Sequence, residues 1–282
     1  MKLLTFLFAC LTASATAQQP AGPAAKPLPD ISTLLRDVES HQKELDTIKH
    51  NYIFKEDSHE EELGGDNKIK KTVWEEREIF YIGKQEISRL LRKDGHDLSA
   101  DEAEKEKERV DKKIEKAKKK ETDDEQKKDD DITVDTFLRI CKFTNPRRES
   151  RNGRDAIVFD FSGNPDEKAH GLGQTAIKKL AGTLWVDEAG RAVSRLEAHF
   201  EDSFKVGGGL LASLQKGSWF VFEQQLVNDE VWLPTSAEAS MNGRVLLFKS
   251  FHGHYLSRFS DYRKFRSKTN ITLAGPGETT QK

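Results

Sequence analysis

The sequence predicts an α+β protein: a curved antiparallel sheet or half-open β-barrel with a few covering helices and a charged helical insertion. Three observations carry that prediction. Residues 182–265 fall into runs that alternate apolar and polar side chains between turn residues, the mark of an antiparallel sheet with one wet face. Leu34, Leu35, Val38, Leu45 and Ile48 recur at spacings that put most of them on one helical stripe. From Asp101 to Asp131, Lys, Arg, Asp and Glu fill most positions, which leaves too little to bury for a core of its own.

At the amino end, Lys2 is followed by the apolar run Leu3–Ala9, and Ala15-Thr16-Ala17 supplies a small-x-small pattern. Such a run is too short to anchor a chain in a bilayer and reads as a signal peptide, residues 1–17, cleaved after Ala17. The expected location is periplasmic or secreted. Lipid anchoring at Cys10 is the alternative, disfavoured by the bulky Phe8 in Leu7-Phe8-Ala9-Cys10. Once Cys10 is removed, Cys141 is the lone cysteine, so no internal disulfide forms and a packed core must hold the fold. Residues 18–30, rich in Pro and small residues, read as a flexible linker.

Residues 31–268 read as one domain. Asp30 or Ser32 caps the first helix. Strand-like runs follow at Asn51–Lys55 and Thr72–Ile82, a hairpin with a long loop containing Gly64-Gly65-Asp66-Asn67. The insertion, residues 99–131, opens with the capping box Ser99-Ala100-Asp101-Glu102 and carries acid-before-base pairs four apart, such as Glu108 and Lys112. That predicts a projecting, solvated helix. Thr136–Phe143 reads as a short buried helix that hides Cys141 as a structural thiol. Asn152-Gly153 gives a hairpin turn into Ala156–Phe161.

Strands are then expected at Gly182–Asp187, Arg191–Phe200, Ser218–Leu226, Val231–Met241, Arg244–Tyr255 and Ser257–Phe265, with Asn228-Asp229-Glu230 and Asn242-Gly243 as turns. In the second of these, Ala192, Leu196, Ala198 and Phe200 share one side. Residues 269–282 read as a disordered tail.

The charge balance, 46 basic against 48 acidic residues for a net −2, lacks the basic surplus of a nucleic-acid binder. No later apolar stretch is long enough to be a transmembrane segment in the mature chain. No hydrolase elbow, phosphate loop or paired-cysteine motif is present, so no catalytic, cofactor or metal residue is assigned and an enzyme is disfavoured. His252 and His254, two apart on a strand, could share an ion, but no further ligand can be named. Gly171-Leu172-Gly173, beside His170, reads as a linker and not as a nucleotide loop.

Gly182-Thr183-Leu184-Trp185-Val186-Asp187, Val193–Glu197, Val231-Trp232-Leu233-Pro234-Thr235 and the strand after Asn242-Gly243 together resemble the lipoprotein-localisation superfamily, over residues 180–265. The resemblance implies a half-open barrel cupping a hydrophobic cavity that holds acyl chains under helices. The charged insertion departs from that pattern. The expectation that follows is a non-enzymatic periplasmic protein binding a lipid or the acyl chain of a lipoprotein, in trafficking to the outer membrane. The alternative is an envelope sensor or scaffold that binds a protein partner through its sheet and charged arm. Candidate cavity residues are Phe159, Phe161, Trp185, Phe200, Phe220, Phe222, Trp232 and Phe248. A candidate flap, loose at Gly207, Gly208 and Gly209, carries Leu210, Leu211 and Leu214 between Lys205 and Lys216.

Overall fold

The computed structural model describes residues 26–64, 68–122, 134–245 and 249–265. The residues read as a signal peptide, the first part of those read as a linker, Gly65-Asp66-Asn67, the acidic end of the insertion and the residues read as a tail lie outside the described residues, as does Phe248.

Helix α1 (Ile31–Lys49) leads into strands β1 (Tyr52–Leu63), β2 (Ile69–Ile82), β3 (Gln85–Lys93) and β4 (His96–Asp97). Helices α2 (Ala100–Thr122) and α3 (Val134–Ile140) precede β5 (Cys141–Arg151) and β6 (Arg154–Gly163). After α4 (Gly171–Ile177) come β7 (Leu180–Asp187), β8 (Ala192–Phe200), β9 (Phe204–Val206) and β10 (Ala212–Leu214). Three long strands finish the domain: β11 (Trp219–Val227), β12 (Val231–Val245) and β13 (Lys249–Lys264).

Among the described residues thirteen strands join one sheet in the order β4-β3-β2-β1-β13-β12-β11-β8-β7-β6-β5, with β9 and β10 attached beside β12. Its pairings are antiparallel and its two edges do not meet, so the sheet is open and not a closed barrel. Mostly sheet with a few helices, it is the α+β class that the alternating runs predict. Hairpins build most of it, but β1 pairs with β13, Ser58 opposite Ser257, which brings the start of the domain to its end.

Helices cover the two faces at different places. The first half of α1 buries Leu34 and Val38 against Ile140 of α3 and Phe159, Leu184 and Phe200 of the β5–β8 region. At the other end, α2 buries Val110 and Ala117 against Phe80 and Ile87. Alternate residues of β2 therefore serve both sides: Phe80 lies under α2, whereas Ile79 and Tyr81 pack with Phe54 in a separate cluster.

The structure corrects several expectations. The described part of the insertion does not project. Its capping box forms, with Ser99 N donating to Glu102 at 3.0 Å, but the helix then lies along β3. Glu106 accepts from Leu90 N at 2.6 Å and Arg109 donates to Ser88 O at 2.5 Å, so charged side chains satisfy the backbone of an otherwise open sheet edge. Val110 and Ala117 fall on one side of the helix and suffice to dock it, because few apolar residues need be buried when polar side chains bond the edge directly.

Asn242-Gly243 is not a turn. Gly243 lies inside β12, paired with Leu214 of β10 on one side and Phe251 of β13 on the other: a Cβ there would meet Ser213 O at 2.3 Å and Phe251 Cζ at 2.7 Å. The glycine permits a close approach; Arg244 and Val245 continue β12, and Lys249–Lys264 form one strand, β13, with no break between the runs read as ending at Tyr255 and starting at Ser257. The strand read as Asn51–Lys55 runs on to Leu63 through a Glu-rich stretch, since cross-strand partners such as Lys71 opposite Glu62 and Trp74 stacked on His59 at 3.8 Å offset its low strand propensity. β3 was not expected. Cys141 begins β5 after a helix that ends at Ile140. A bulge between Trp185 and Val186 puts Val193, in place of Ala192, in the cluster with Ala198 and Phe200.

Candidate functional site

Helix α1 is longer than the core it covers, and that mismatch makes a cavity. Asp30 starts the helix by accepting from Thr33 N at 2.8 Å. Leu34 and Val38 fall in the main core, but Leu45, two turns further on, belongs to a smaller cluster with Tyr52, Trp232 and Leu233. Between this second half of α1 and the sheet lies a space of about 360 Å³, within the ordinary range for small-ligand sites. Leu45, Gln42, Asp46 and Lys49 line its helix side; Phe54, Ile79, Tyr81, Phe222, Trp232, Pro234 and Phe259 line its sheet side.

About half of that lining is apolar, and aromatic contacts and hydrogen bonds brace it. Phe54 lies 6.0 Å from Phe259 and 5.8 Å from Tyr262, ring centre to ring centre. Tyr262 in turn donates to the carbonyls of Pro234 and Phe259, which fixes the wall where β12 meets β13. Burial pushes the Tyr262 phenol up to about 12, so it stays a neutral donor.

The polar groups fall in two places, one around Tyr81 and Glu86, which face each other on β2 and β3, and one around Glu56, which pairs with Arg77 four residues away along β2. Tyr81 donates to Glu86 Oε2 at 2.9 Å, and burial, with the Glu86 charge, pushes its phenol far above the ordinary range. The Lys49 ammonium lies 5.4 Å from the Tyr81 ring centre. The His50 ring is 4.9 Å from the same tyrosine, and burial together with Lys49 pulls its imidazole below its usual value. Glu56 accepts from Tyr255 Oη at 2.7 Å and from Ser257 Oγ at 2.5 Å.

Of the residues picked from sequence, Phe222 and Trp232 line this cavity. Phe159, Phe161 and Phe200 are enclosed in the main core, where Phe137, Phe143, Phe159 and Phe161 stack edge to face. Trp185 lies on the opposite face with Ala156 and Val158, its indole N–H donating to Glu149 at 3.0 Å. Phe220 packs at the border of the main core and borders a wider trough of about 640 Å³ beside Trp219, Asp160, Glu197 and His199. That trough is larger but more open, and it offers an apolar ligand less shelter than the space under α1.

The flap segment forms a small hairpin, β9 and β10 joined through a turn at Gly207–Gly209. Leu210 and Leu211 are more than half exposed at its tip, and Leu214 packs on the core. Since Leu214 pairs with Gly243 whereas the cavity takes Trp232 and Pro234 from the other end of β12, the flap stands roughly 30 Å along that strand from the cavity.

Sequence reasoning missed Phe54, Ile79, Tyr81 and Phe259. Alternation of Ile79 with Tyr81 marked one shared face, but which strands meet there depends on the distant β1–β13 pairing.

Elsewhere, Cys141 is buried and its thiol pushed up to about 12 by that burial, which removes it from nucleophilic chemistry. His254 Nε2 lies 2.9 Å from Glu238. Among the described residues no three His, Cys, Asp or Glu side chains gather as a metal ion requires. No described helix is long and apolar enough to cross a membrane.

No family model matches the sequence, and no curated protein matches it. Among solved structures the chain is similar to a DUF1329 family protein from Desulfovibrio piger, at 9% identity and a TM-score of 0.36, over 86% of this chain and 95% of that one. It is also similar to a LolA superfamily protein from Nitrosomonas europaea, at 12% identity and a TM-score of 0.31, over 82% of this chain and 94% of that one.

Proposed function

We propose that this protein is a non-enzymatic carrier that shelters the alkyl chain of a lipid or acylated ligand under α1. The carrying observation is the cavity of about 360 Å³ whose walls are Leu45, Phe54, Ile79, Phe222, Trp232 and Phe259. Each methylene moved from water onto such walls gains about 0.8 kcal/mol, so even a short chain gains several kcal/mol. Walls held by the Tyr262 bonds and by Leu45 lose little entropy when the ligand enters.

The signal read at residues 1–17 supports export, and the proposed place of action is the periplasm, in the movement of lipids or lipoproteins toward the outer membrane.

Native mass spectrometry of the mature protein isolated from the cell envelope, followed by organic extraction, tests this reading. A stoichiometric lipid or acylated adduct is expected. A clean protein mass, from a sample that also fails to take up a neutral alkyl probe, would overturn it.

A further inference from the structure

The β9–β10 hairpin stands apart from the cavity and belongs to one end of the sheet. The pairings of β1, β2, β12 and β13 bring Leu63, Ile69 and Val245 to that same end, and β10 joins β12 there, Ala212 opposite Val245. Four of the eight large apolar side chains left exposed among the described residues gather along this rim: Ile69, Leu210, Leu211 and Val245. Leu210 and Leu211 follow three glycines with positive φ, 58°, 64° and 93°, a left-handed run that turns the chain at the hairpin's tip.

The pleat sorts apolar from charged side chains. Val206, Ala212 and Val245 lie opposite one another across three strands and share one face, whereas Lys205, Ser213 and Arg244 form the next row and share the other. Lys205 and Arg244 are exposed, each one residue short of its strand's end. Neither forms an ion pair with a described residue. Acids are missing around them: residues 203–217 and 239–260 contain no Asp or Glu, although acids make up 48 of the chain's 282 residues. Asp202, at the base of the hairpin, is matched by Lys179 at 3.3 Å. On the neighbouring β1–β2 hairpin Glu62 stands opposite Lys71, and Lys70 is exposed beside Ile69.

An apolar tip among unpaired cations complements a surface that is negative outside and apolar within. We infer that this end of the sheet is a membrane contact: Leu210 and Leu211 enter the acyl region of an anionic phospholipid bilayer while Lys205 and Arg244 meet its phosphates. Ile69 and Val245 widen the contact along the rim. A second copy of this chain fits the rim less well, because it would bring the same cations face to face. The contact is separate from chain binding, since the cavity takes Trp232 and Pro234 from the other end of β12, roughly 30 Å away.

Flotation of the mature protein with lipid vesicles tests the contact. Vesicles of phosphatidylcholine with about a third phosphatidylglycerol should bind it roughly twenty-fold more tightly than phosphatidylcholine alone, since each cation near an anionic leaflet contributes about five-fold. Leu210→Ser/Leu211→Ser should weaken that binding by about ten-fold, and Lys205→Gln/Arg244→Gln should abolish the preference for phosphatidylglycerol. All four side chains are exposed, so Tm should not move. Should either variant fail to fold, salt at about 0.5 M removes the same preference from the unaltered protein. Uptake of a neutral alkyl probe reads chain binding separately and should be equal in all three proteins. Undiminished flotation of the leucine variant, equal binding to the two kinds of vesicle, or a preference that survives the salt overturns the membrane contact and leaves chain binding intact. So does an unaltered protein that ignores vesicles and is a dimer by light scattering where the leucine variant is a monomer, which would make the tip a contact between copies.

Discussion

Leu45 of α1 and Trp232 of β12 belong to one buried cluster and both line the cavity, one from the helix side and one from the sheet. Leu45 is 4% exposed, so Leu45→Ala should cost about 2–3 kcal/mol of stability. Because the lost volume opens into the cavity, an alkyl ligand refills it. Thermal unfolding with excess dodecanol should therefore show a larger rise in Tm for the variant than for the unaltered protein. An equal or smaller rise would place the ligand away from α1.

Arg109 and Glu106 tie α2 to the free backbone of β3. Replacing both with Ala leaves Leu90 N and Ser88 O unpaired on an exposed edge, and such edges pair with other chains. The double variant should show concentration-dependent association by light scattering. Val110→Ala alone, which removes two buried methyl groups, should cost about 1.5 kcal/mol without association.

Gly182 of β7 pairs with Ala198 of β8, and a Cβ there would fall 1.8 Å from the Glu197 carbonyl oxygen. Backbone cannot swing aside as a side chain can. Gly182→Ala should destabilise by about 1–3 kcal/mol in denaturant unfolding, although Ala is otherwise the better residue to have in a strand than Gly.

Glu188 accepts from Arg148 at 2.8 Å and from Lys26 at 2.8 Å, and these cations, Arg148 first, hold its carboxyl at about 2 against a usual 4.5. A carboxyl depressed by folding stabilises above its unfolded pKa, and that contribution fades as pH falls through the folded one. Between about pH 4.5 and pH 2 the protein should lose stability more steeply than Glu188→Gln, with the two curves running parallel above about pH 6. Parallel curves throughout would mean that the Lys26–Glu188–Arg148 contact does not persist in solution.

What the sequence made legible was local. The Asp30 cap, the Ser99–Glu102 box and the Asn152-Gly153 turn each depend on residues within one turn of chain, and each forms. Asn152 and Gly153 both take positive φ, 51° and 76°, as such a hairpin requires. The same dipeptide at 242–243 stays in a strand, where Gly243 pairs with Leu214 of β10 and Phe251 of β13, a tertiary fact that no local pattern encodes. The docking of α2 was hidden for a related reason: Glu106 and Arg109 look like any other charges on a solvated helix until β3 is found beside them. In the cavity, large aromatics signalled apolar walls, but strand parity divided them between two faces. Among the described candidates only Phe222 and Trp232 fell on the lining, and their companions arrive from β1, β2 and β13 through pairings of long sequence separation.

Tryptophan fluorescence tests the sheltered chain most directly, since Trp232 lines the cavity while Trp74, Trp185 and Trp219 do not. Bromine on an alkyl chain quenches an indole only at contact. A bromododecyl amphiphile should quench part of the protein's emission saturably, and that part should vanish in Trp232→Phe while the remaining emission is unchanged. Saturable quenching that survives Trp232→Phe, or no quenching of the unaltered protein, would contradict a chain bound beneath α1.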